Sequence, residues 1–104
     1  MNNKYHKGLV LNNLRALRNK LSLRQIDSAT IFGFEIIDRI SHWEKGRSQP
    51  GLINTIRLCK LYGAKTIDEL YPELCKQIEE EIQENMNRNF LRKEEDSSDT
   101  LHTA

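Results

Sequence analysis

The chain has 104 residues, 38% of them hydrophobic and 30% charged, which allows one small core under a densely charged surface and excludes two domains. The longest unbroken apolar run is Leu9 to Leu11, far short of the roughly 20 residues a spanning helix needs, and this excludes a membrane protein. No apolar stretch at the N-terminus has the form of a signal peptide, so the expected location is the cytoplasm. The net charge of +1 hides an asymmetry: residues 1–72 carry twelve Lys and Arg against six Asp and Glu, and residues 73–104 carry four against nine. A body of +6 followed by a tail of −5 fits a nucleic-acid binder with a segregated extension. Cys59 and Cys75 form no CxxC pair and are expected as reduced thiols, with Cys59 serving as a small core hydrophobe.

Val10, Leu14, Leu17 and Leu21 recur on one helical face opposite Arg15, Arg18 and Lys20, which predicts a first helix over about 8–20. Ser22 followed by Gln25 reads as a capping box heading a second helix, with Ile26, Ala29 and Ile31 or Phe32 inward and Gly33 ending it. A third helix is expected over about 36–43 with Ile40 and Trp43 inward, and Gly46 ends it. A fourth spans about 52–62, burying Ile53, Ile56, Cys59 or Leu58, and Leu61 or Tyr62. Thr66 and Glu69 form a second capping box over a short helix at 67–70, and Pro72 can open a last helix because a proline at the first position loses no hydrogen bond. Leu74, Ile78, Ile82, Met86 and Phe90 repeat every four residues along it, and the polar run 94–104 is expected to be disordered. With no alternating strand signal, the fold class is all-α: a domain over 1–72, a helical extension over 73–93 and a tail.

The second and third helices with their turn form a candidate helix-turn-helix, a device that lays one helix across the phosphate backbone and the next in the major groove. At Leu21-Ser22, at Ile40-Ser41-His42-Trp43-Glu44-Lys45-Gly46-Arg47 and at Pro50, the chain resembles the lambda-repressor-like, or Xre-type, helix-turn-helix family. The resemblance covers about residues 9–72, and Leu52 to Leu70 follow with that family's spacing of a fourth and fifth helix. Tyr71-Pro72-Glu73-Leu74 is similar to a bacterial and phage subgroup. The chain departs from the pattern in its longer spacing of 14 positions from Ile26 to Ile40, in Leu23 where a phosphate-binding glutamine is common, and in Ile36-Ile37 where polar base readers are usual. Apolar readout of thymine methyl groups is one consequence.

The resemblance implies a compact five-helix DNA-binding domain and assigns roles to its residues. Ile37, Asp38, Ser41 and His42 share one face directed at the groove floor, and Arg39 is a candidate for bidentate contact with guanine. Arg24 and Gln25 at the start of the second helix, with Lys45, Arg47 and Ser48 in the loop after the third, are candidates for phosphate. Trp43 is expected in the core and Glu44 as the partner of Arg15 or Arg18. The implied function is a sequence-specific transcriptional regulator without cofactor or metal, binding double-stranded DNA as a homodimer, with the last helix available to a second copy or another protein. The alternatives are the antitoxin of a toxin–antitoxin pair and a protein-interaction adaptor that no longer binds DNA. No Ser/His/Asp set, Gly-rich phosphate loop or paired-carboxylate pocket can be assembled, so no enzyme is expected.

Overall fold

A computed structural model of the chain describes residues 8–96, with side chains through residue 90. These residues are all-α: α1 (Leu14–Lys20), α2 (Gln25–Phe32), α3 (Asp38–Glu44), α4 (Leu52–Tyr62), a single 3₁₀ turn (Ile67–Glu69) and α5 (Pro72–Asp96). No described helix is long and apolar enough to cross a membrane.

The first helix begins later than its periodicity predicts, because the residues ahead of it are engaged elsewhere. The Val10 N–H donates to the Gly46 carbonyl at 3.0 Å, and Asn12 Nδ2 donates to the Trp43 carbonyl at 2.9 Å. Asn12 Oδ1 in turn accepts the Leu14 N–H at 3.0 Å, and Asn13 N–H reaches the Leu70 carbonyl at 2.9 Å. An extended arm thus ties the end of α3 and the 3₁₀ turn to the start of α1, while Val10 still reaches the core. Close approach of this arm requires Gly46: at φ 75° a Cβ there would lie 2.3 Å from the Val10 carbonyl oxygen.

The capping box expected at Ser22 and Gln25 does not form. Ser22 takes a left-handed φ of 60° in the turn, and α2 starts one step beyond Arg24, whose N–H donates to the Asp27 carboxylate at 2.7 Å. The second box fares as predicted in its reciprocal half, since the Glu69 carboxylate accepts the Lys65 and Thr66 N–H groups at 2.5 and 3.2 Å. Gly33 ends α2 in the left-handed conformation, and Phe34 N–H returns to the Ala29 carbonyl at 2.8 Å. Residues 35–37 are bends, so α3 starts at Asp38 rather than at Ile36.

Ile40 and Trp43 are buried as predicted, against Leu14, Ala29, Leu58 and Leu70. On α2, Ala29 is buried and Phe32 packs on the core as expected, whereas Ile26 and Ile31 are exposed and Ser28 is taken inward. On α4, Leu58 and Tyr62, each expected as one of two alternatives, are buried, while Ile53 is 66% and Ile56 49% exposed against expectation. The two helices share a buried polar pair: Ser28 Oγ and Tyr62 Oη meet at 2.9 Å inside the core, where leaving either hydroxyl unpaired would cost about 1–3 kcal/mol. Burial raises the Tyr62 pKa.

Pro72 opens α5 as predicted, and Leu74 and Cys75 of its first turn pack on the core. Burial pushes the Cys75 thiol up, and Asp68 adds to the effect. The helix continues through 94–96, where a tail was expected; the rest of that segment lies outside the described residues.

Candidate nucleic-acid interface

Helix α3 is fixed by its inner side. Ile40 and Trp43 are sunk in the core, and Trp43 meets Phe34 edge-on with ring centroids 5.8 Å apart. At its C-terminal end Glu44 is held by Arg18 through two contacts, Nε to Oε2 and Nη2 to Oε1 at 3.0 Å. Arg18 is also bound to the Leu23 carbonyl at 2.7 Å, so one guanidinium joins α1, the turn before α2, and α3. Of the two arginines considered as the Glu44 partner, the fold selects Arg18 because it lies on the buried side of α1, whereas Arg15 is exposed.

The outer side of α3 is open. Asp38 and His42 are exposed and Ser41 is half-buried, one turn apart on a common face, with Ile37 at its edge and 36% exposed. Immediately beyond, Lys45, Arg47 and Ser48 are exposed on a loop whose backbone is clamped to the helix end: Lys45 N–H donates to the Ser41 carbonyl at 3.0 Å and Arg47 N–H to that of His42 at 2.9 Å. Two cations therefore flank the open face at a fixed position rather than on a free loop.

Three candidates are placed differently from the sequence expectation. Gln25 does not reach outward: its Nε2 donates to Glu44 Oε1 at 3.1 Å, completing the buried Arg18–Glu44 network. Arg24 is exposed, but its guanidinium is occupied by Asp27 at 3.0 and 3.1 Å, and the contact raises the Arg24 pKa and lowers that of Asp27. Arg39 lies on the flank of α3, its guanidinium 4.8 Å from the Phe34 ring centroid, beside an open cleft shared with Asp38 and Arg57. Stacking on an aromatic face holds its guanidinium against Phe34, one turn along α3 from His42.

The structure adds two cations that the periodicity left aside. Arg15 and Lys45 line one cleft over the Arg18–Glu44 pair, next to Gln25, and Arg57 of α4 faces Arg39 across the cleft by Phe34. Arg15 was legible as a residue on the outer side of α1, but its nearness to Lys45 depends on how α1 packs on α3. No group of three His, Cys, Asp or Glu able to hold a metal ion occurs among the described residues. Comparisons of the chain with protein-family models, with curated proteins and with solved structures find no match.

Proposed function

We propose that the protein is a sequence-specific DNA-binding transcriptional regulator of the lambda-repressor-like kind, acting in the cytoplasm as a homodimer, with α2 and α3 as its helix-turn-helix. The observation that carries this reading is the contrast between the two sides of α3. Its inner side is locked by Ile40, Trp43 and the Arg18–Glu44 pair, while its outer side leaves Asp38, Ser41 and His42 accessible between clamped Lys45 and Arg47. A rigid helix with polar groups on the open face and cations at its end suits groove readout combined with phosphate anchoring. Ser41 and His42 read base edges; Lys45, Arg47 and Arg15 hold phosphates; Asp38 accepts from a cytosine amino group.

The test is selection of bound sites from random duplexes, followed by titration of the selected duplex at several salt concentrations. The expected result is a preferred sequence and a log–log salt slope of about −0.9 for each phosphate contact. Absence of salt-dependent binding to any duplex overturns it. The adaptor reading then takes its place, supported by exposed apolar side chains: Ile36, 61% exposed, shares a cleft with Asp38 and Arg39, and Leu52 and Ile53 are 77% and 66% exposed.

A further inference from the structure

Helix α5 runs for 25 residues, of which only the first turn packs on the body through Leu74 and Cys75. Beyond it, Ile78, Ile82, Met86 and Phe90 are 37%, 52%, 42% and 52% exposed. Steps of four residues advance about 40° on an α-helix, so these four occupy one sector about 120° wide, the width of a face that buries against another helix. The charges along α5 are segregated by position: residues 79–84 hold four glutamates and no base, and residues 88–93 hold three bases and no acid. Glu84 and Arg88 pair within the helix at 2.8 Å, on the side away from the apolar sector. Positions 79 and 93 both fall within that sector by helical phase.

We propose that this face is covered by α5 of a second copy of the chain, running antiparallel, with the two-fold axis at Met86. In that register Met86 meets its own equivalent, Ile82 packs against Phe90, and Glu79 stands opposite position 93, a lysine. A parallel pair in register sets Glu79 against its own equivalent, and shifting the antiparallel register by one turn towards the N-terminus puts Asn89 in place of Lys93 opposite Glu79. The charges at the two ends of the sector select the second copy as occupant, because in the antiparallel register the acidic position 79 of each copy meets the basic position 93 of the other. The inference deepens the homodimer part of the proposed function, and it is read without DNA, so its failure and the failure of DNA binding are separate results.

The experiment is sedimentation equilibrium of the full chain over the micromolar range, with helicity checked by circular dichroism. The parent is expected to dimerise, Met86→Glu to be monomeric with its fold retained, and Glu79→Lys to dimerise several-fold more weakly. Glu79→Lys combined with Lys93→Glu restores the parent constant; the two positions are about 21 Å apart along one helix, so rescue reports contact between copies. A monomeric parent, a dimer insensitive to Met86→Glu, or a double variant no better than Glu79→Lys overturns the proposal.

Discussion

Arg18 and Glu44, 26 residues apart in sequence, form an ion pair whose side chains are only 9% and 4% exposed, and this pair fastens α3 to α1. Removing one member strands the other charge where little water reaches it, at the floor of the cleft lined by Arg15 and Lys45, which costs about 3 kcal/mol. Urea denaturation of Glu44→Ala is expected to show a loss of that size. The combined Arg18→Met and Glu44→Leu variant removes both charges, so it should recover most of the loss. Equal losses in the single and double variants would mean that the packing of the stems, not the charge, holds the helices.

Gly46 and Gly33 both have a positive φ, but only Gly46 lies against another segment, with the Val10 backbone nitrogen and carbonyl carbon 2.7 and 2.9 Å from where a Cβ would stand. Gly33→Ala meets open space and should cost about 1 kcal/mol from backbone strain. Gly46→Ala must also displace the N-terminal arm, and about 3 kcal/mol or more is expected. Thermal melts of the two variants, compared directly, check the ranking.

The pH dependence of stability carries a contribution from Asp27. The Arg24 guanidinium and backbone N–H hold its carboxyl below the ordinary aspartate range. A depressed folded-state pKa stabilises the fold above the unfolded value, and that contribution is lost as the pH falls through the folded value. Stability measured downward from pH 6 should therefore fall through the carboxylate range, and Asp27→Asn should fall less steeply there. Identical acid limbs for the two chains would place the titrating groups elsewhere.

His42 and Arg39 are one turn apart on α3, but Arg39 lies over the Phe34 ring and His42 is free of it, so they should fail in different ways. His42→Ala is expected to flatten one or two positions of the selected DNA site, worth about 1–3 kcal/mol of discrimination, with the melting temperature nearly unchanged. Arg39→Ala loses its contact with Phe34, so a stability loss of about 0.5–1 kcal/mol is expected, with base preference kept. The reverse pattern would make Arg39 rather than His42 the base reader.

Truncation after Glu84 tests where the folded body ends. Leu74 and Cys75 are the positions of α5 that pack on the core, so the shortened chain should keep a cooperative helical melt. An unfolded product would show that the distal half of α5 is needed for the body to fold.

Much of the architecture is legible from residues close together in sequence. The helical segments, the inward pair Ile40 and Trp43, the stops at Gly33 and Gly63, the Glu69 cap and the start of α5 at Pro72 follow from periodicity and from side chains that satisfy nearby backbone groups. The sequence also narrowed the partner of Glu44 to two arginines.

Tertiary structure decided what depends on contacts between distant segments. Apolar spacing turned Ile53 and Ile56 inward and left Leu58 against Cys59 and Tyr62 against Leu61 open; the fold buries Leu58 and Tyr62, where Tyr62 pairs with Ser28 of α2, and leaves Ile53 and Ile56 exposed. Gln25 looked free to contact phosphate or cap a helix until Glu44 arrived from 19 residues away to accept its amide. Ser22 became a turn residue instead of a cap because Arg18 holds the Leu23 carbonyl and Leu23 N–H returns to the Arg18 carbonyl at 3.1 Å. Local pattern determines which segments can be helices; the phase at which each helix is buried, and which polar side chains remain for a partner, are settled by packing and polar pairing between segments that the sequence keeps apart.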